Sequence, residues 1–138
     1  MAITYSIDDS PTQEDLVELY GSVKWAAYTH DPARLTAAIG ASLRVVTARN
    51  DGKLVGLARI VGDGLTIAYL QDILVDPQYH RLGVGRELFI RVFEPYRDVR
   101  QRVVMTDDEP QQRGFYEAMG FTEVRDLDFP IRVFAKFD

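Results

Sequence analysis

Apolar and polar residues alternate in ITYSI (3–7), and this period of two predicts a short strand. The period changes in PTQEDLVELYGSV (11–23), where Leu16, Val17, Leu19 and Tyr20 form a helical stripe. The Asp/Ser/Thr-rich start of that segment places a cap at Ser10 or Thr12. DPARLTAAIGAS (31–42) predicts a second helix with Pro32 in its first turn, where the missing N–H has no partner to lose. The connector KWAAYTH (24–30) carries Trp25, Tyr28 and His30. Three strands follow. LRVVTAR and KLVGLARIV flank the tight-turn signal Asn50-Asp51-Gly52, and the turn VGDG leads into LTIAYLQDILV (65–75). Leu88, Phe89, Val92 and Phe93 mark a helix beginning near Gly85. QRVVMT reads as a buried strand, and QQRGFYEAMG as a short helix closed by Gly120. EVRDLDF and IRVFAKF predict two further strands at the end.

The order β-α-α-β-β-β-α-β-α-β-β implies an α/β fold with a mixed, mostly antiparallel central sheet and flanking helices. One crossover helix joins the fourth and fifth strands. A chain of 138 residues is expected to form a single domain over 1–138. A net charge of −5 argues against nucleic acid and anionic membranes as partners, since both select a basic surface. The absence of cysteine rules out disulfides and thiolate zinc sites and fits a cytoplasmic setting. No apolar run reaches the roughly 18 residues of a membrane span, and MAITYSIDDS lacks the apolar stretch of a signal peptide.

The charge is uneven in a way that bears on function. Arg81, Arg86 and Arg91 surround the stretch HRLGVGRE (80–87), while Asp72, Asp107, Asp108 and Glu109 lie elsewhere. Three readings fit its Gly-x-Gly. It is a helix-entry loop whose glycines relieve strain, a dinucleotide fingerprint, or a diphosphate seat at a helix N-terminus. A dinucleotide site needs a third glycine and a loop directly after the strand. Here Leu88 follows, and residues 76–82 separate Val75 from Gly83. No Gly-Lys-[Ser/Thr] follows either, which excludes a P-loop. In the third reading Gly83 and Gly85 let successive N–H groups converge on one anion, and Arg81 and Arg86 add charge-assisted hydrogen bonds.

ILVDPQYHRLGVGRELF (73–89) resembles the acyl-CoA-binding segment of the GCN5-related N-acetyltransferases, whose pattern is Gln/Arg-x-x-Gly-x-Gly/Ala after a strand. FYEAMGF (115–121) is similar to the family's Phe/Leu-Tyr-x-x-x-Gly-Phe segment, and the elements between the two match as well. His80 stands where the family usually has Gln or Arg. Glu109 and Gln112 stand where many members have Asn and Ala.

The resemblance implies acetyl-CoA as co-substrate, no metal, and a direct transfer to a small-molecule amine, with acyl-CoA-binding modules and peptide acetyltransferases as alternatives. It implies a β-bulge in the strand before the loop, with backbone groups of Ile73, Leu74 and Val75 pairing with pantetheine. His80, Arg81, Leu82, Gly83, Val84, Gly85 and Arg86 would hold the diphosphate, and Phe115 would also contact the coenzyme. Tyr116 matches the family tyrosine that returns a proton to the thiolate; packing between Phe115 and Phe121 is the competing role. Asp72, a carboxylate in an otherwise apolar strand, is the candidate general base, and a partner for an arginine is its other reading. By alternation, Tyr69 and Gln71 face away from Asp72. Trp25 and Tyr28 would form an aromatic wall for the substrate, or pack in the core. IRVFAKF is an apolar edge strand able to pair across a homodimer.

Overall fold

The structure, a computed structural model, describes residues 2–138. It divides into two compact units, one ending at Val104 and one running from Met105 to Asp138.

The first unit holds a five-stranded sheet in the order β1-β2-β3-β4-β5, comprising Ile3–Ser6, Arg44–Asn50, Lys53–Val61, Ile67–Val75 and Gln101–Val104. The first four strands are antiparallel, and β5 joins β4 in parallel after the crossover helix α4 (Val84–Phe93), as the pattern predicts. Helix α1 (Gln13–Ser22) starts at Thr12, whose hydroxyl accepts from the Asp15 N–H while the Asp15 carboxylate accepts from the Thr12 N–H. KWAAYTH contains a one-turn helix α2 (Ala26–Thr29) rather than a plain connector, and α3 spans Pro32–Gly40. Leu16, Leu19 and Tyr20 of α1, with Leu35 and Ile39 of α3, bury one sheet face through Leu54, Leu57 and Leu74. Val84 and Leu88 of α4 cover the other face around Gly56. Among the described residues, no helix is long and apolar enough to cross a membrane.

The second unit contains α5 (Pro110–Ala118) and a 3-10 turn at Val124–Asp126. Gly120, at φ +91°, closes α5, and the Phe121 N–H reaches back to the Tyr116 carbonyl (2.9 Å). The two strands predicted from EVRDLDF and IRVFAKF are not formed. Arg113 of α5 pairs with both Glu123 and Asp126, so the first segment folds into a turn. Pro130 separates it from the second, which leaves Val133, Phe134 and Phe137 exposed without a ladder. The edge strand on which the homodimer expectation rests is therefore not present in this chain.

Candidate active site

Strand β4 carries two contrasting stretches, both of them just after a bulge. Ile60 faces Leu70 and Arg59 faces Asp72, so Gln71 is one residue in excess on β4. The extra residue reverses the alternation beyond it. Tyr69 faces Val61, which shares a sheet face with Arg59, so Tyr69 and Asp72 lie on the same side. This corrects the period-two assignment of Tyr69.

Asp72 is 3% exposed, and both of its oxygens are engaged. Oδ2 accepts from Arg59 Nε (2.6 Å) and from the Tyr20 hydroxyl (2.9 Å); Oδ1 accepts from the Tyr28 hydroxyl (2.6 Å). Arg59 also donates to Ser42 Oγ (3.3 Å). Burial alone would lower the guanidinium's pKa, but the Asp72 carboxylate outweighs it and raises it. Both phenols are held above their ordinary value, by burial first and by Asp72 second. Trp25 completes the cluster, with its ring centroid 5.9 Å from those of Tyr20 and Tyr28. Trp25 and Tyr28 both pack against the core formed by α1 and α3. Tyr28 is half-buried, and its hydroxyl also receives the side-chain amide of the exposed Gln71 (3.2 Å). The sequence offered two roles for Asp72; the contacts are those of an arginine partner.

One residue further on, the backbone is in the opposite condition. The Asp76 N–H donates to the Val55 carbonyl (2.8 Å), which makes 55/76 a hydrogen-bonded pair. Hydrogen-bonded and open pairs alternate in an antiparallel ladder, so 57/74 is bonded while 56/75 and 58/73 are open. The N–H and C=O groups of Ile73 and Val75 consequently point away from β3. On that side the pairing with β5 stops at Leu70 and Val104. Ile73 and Val75 thus present a row of backbone groups beyond the last paired residue. Leu74 leaves the predicted set, because its backbone turns toward Leu57 and its side chain lies in the core.

The row runs into the glycine loop. A 3-10 turn (Pro77–Tyr79), capped by Asp76, leads to His80, whose Nε2 lies 3.1 Å from the Val75 carbonyl oxygen. Arg81 has φ +66°, left-handed for a non-glycine residue, and Gly83 follows at +79°. Gly83 is the N-cap of α4 and has no side chain to satisfy the first-turn N–H groups, which leaves that helix end fit for an anion. A Cβ at Gly83 would meet nothing within 4 Å, so its glycine is required by φ and not by crowding. Arg81 and Leu82 are exposed, and Arg86 lies in the first turn of α4. The first-turn groups together suit a diphosphate.

In the second unit, Tyr116 is buried, and Phe115 packs edge-on to it (5.1 Å between centroids). Burial pushes the Tyr116 phenol up to about 12, against an opposing hydrogen bond with Thr106. Sequence reasoning missed Arg59, Tyr20 and Gln71. A lone arginine in the apolar run KLVGLARIV was the available signal, since a buried cation requires a buried anion.

The chain belongs to the acetyltransferase (GNAT) domain family, whose profile matches residues 7–129. Its sheet and helices superpose on a GNAT-family acetyltransferase of Streptococcus pneumoniae with a TM-score of 0.84, at 28% identity over 99% of this chain and 100% of that one. An aminoglycoside N-acetyltransferase crystallised with CoA shares the fold at 18% identity, with a TM-score of 0.71 and 95% of each chain covered. An uncharacterised ycf52-like N-acetyltransferase of Prochlorococcus marinus is 32% identical over 114 residues, 78% of this chain. The match spans 63% of that relative's length.

Proposed function

We propose that the chain is an acetyl-CoA-dependent N-acetyltransferase that acetylates a primary amine of a small molecule in a ternary complex. The carrying observation is the row of backbone groups at Ile73 and Val75, beyond the β5 pairing and without a strand partner on that side among the described residues, that leads to a helix N-terminus with no side-chain cap. Pantetheine carries amides that suit such a row, and its diphosphate suits the helix end. The fold relative crystallised with CoA supports this choice of ligand. The His80–Arg86 loop supplies the diphosphate contacts in this reading. No metal enters the chemistry.

The amine nitrogen attacks the thioester carbonyl carbon, and a free backbone N–H of the row faces the developing oxyanion. The C–S bond then breaks and the sulfur takes the phenolic proton of Tyr116, which burial retains on the ring far above neutral pH. The amine proton leaves to water, and the Tyr116 oxygen takes a proton back from water before the next turnover. Asp72 organises the wall, with its hydrogen bonds committed to Arg59, Tyr20 and Tyr28. Trp25 and Tyr28 line the acceptor side. A cytoplasmic setting belongs to the same proposal and rests on the cysteine-free composition.

The test is release of free thiol from acetyl-CoA with polyamines, amino sugars, arylalkylamines and peptides. Turnover on a small amine is expected, with Tyr116→Phe lowering kcat by about 10²-fold or more at unchanged CoA affinity. CoA binding with no turnover on any acceptor would point to a binding module. Transfer to peptides alone would move the chain to the protein-acetylating class.

A further inference from the structure

His80 is the residue of the loop that departs from the family's pattern, and the contact it makes gives it a task. Its Nε2 meets the carbonyl oxygen of Val75, the last group of the open backbone row. A carbonyl only accepts, so Nε2 carries the proton and donates. The bond closes a ring from the end of β4 through the 3-10 turn and back. Directly after this ring the backbone enters the left-handed region at Arg81, a conformation that strains a non-glycine residue and persists only where its surroundings impose it. The opposite margin of the loop is fixed by α4, through the buried Val84 and the Glu87 N–H on the Gly83 carbonyl (3.1 Å). Arg81 and Leu82 lie between the two anchors and are exposed. The backbone bonds of the 3-10 turn end at the His80 N–H on the Pro77 carbonyl (3.3 Å), so the imidazole is the side-chain tie from the loop's first residue to the end of β4.

We infer that His80 is a positioning residue for the coenzyme: it clips the diphosphate loop to the end of β4 and fixes the junction between the backbone row and the helix N-terminus before the ligand arrives. This rests on the coenzyme reading proposed above. A glutamine carries its amide nitrogen about as far along the side chain as the imidazole Nε2. The same clip is thus open to the residue type the family usually places there, and His80 substitutes for it in function.

The experiment is calorimetric titration of CoA into the wild-type chain, His80→Ala and His80→Gln, together with amide hydrogen exchange of residues 81–85 without ligand. His80→Ala is expected to weaken CoA binding about threefold to tenfold, the range one hydrogen bond supplies, and to speed exchange in the loop. His80→Gln is expected to restore both. Alanine binding CoA as tightly as the wild type overturns the inference. So does a loss that glutamine fails to rescue, since that reports packing of the ring and not the donated hydrogen bond. A wild-type chain that does not bind CoA overturns the coenzyme reading itself, an outcome that no comparison of the variants can produce.

Discussion

Two neighbouring stretches of β4 treat their polar groups in opposite ways. At Asp72 a buried carboxylate is matched oxygen by oxygen to a guanidinium and two phenols. At Ile73 and Val75, one and three residues later, backbone groups stand beyond the last residue paired with β5. Leaving a buried polar group unmatched costs roughly 1–3 kcal/mol, which is why both oxygens of Asp72 are filled, whereas Ile73 and Val75 are only half-buried and water can reach their backbone groups. The fully matched cluster is architecture. The open row is where an outside molecule can complete the pattern. The bulge at Gln71 precedes both, turning Asp72 into the helix-covered face just where the β5 pairing ends.

The comparison breaks most sharply at Arg59. Replacing it with Met leaves Asp72 buried without its cation, and the expected loss is about 3–5 kcal/mol by denaturant unfolding. The double variant Arg59→Met/Asp72→Asn should recover part of that loss. If the single variant costs under about 1 kcal/mol, the cluster is not architecture.

At the open region, Gly83→Ala should cost about 1–2 kcal/mol from its left-handed φ alone, as the surrounding space is empty. Gly83→Asp should further reduce CoA affinity by about tenfold or more through repulsion at the diphosphate. Equal CoA binding by the two variants would move the anion seat elsewhere.

The smallest change is Tyr28→Phe, which removes one donor from Asp72 Oδ1 at a half-buried edge that water can reach. About 1 kcal/mol of stability is expected to go, with acetyl-CoA KM unchanged and amine KM raised. A raised acetyl-CoA KM would place Tyr28 on the coenzyme side.

Much of this was legible from local pattern. The strands β2 to β4, the helix after the glycines and the tyrosine in FYEAMGF each depend on residues close in sequence, where periodicity and turn chemistry act. The role of Asp72 was not legible, because its partner Arg59 lies thirteen positions away on another strand and the Tyr20 hydroxyl fifty-two away. The final strands failed for a related reason. IRVFAKF has a strand's alternation, but a strand exists only where a second one offers its ladder, and Arg113 draws the preceding segment into a turn instead.

By itself, the sequence determined where glycine must stand, at Gly83 before α4, and which segments alternate with which period. These are properties of single residues and their nearest neighbours. Tertiary structure alone decided that β4 gains a residue at Gln71, that Tyr69 and Asp72 share a face, and that Ile73 and Val75 point outward while Leu74 does not. A bulge is a mismatch of register between two strands, and register is set by the packing of both faces at once. Neither strand contains that information alone.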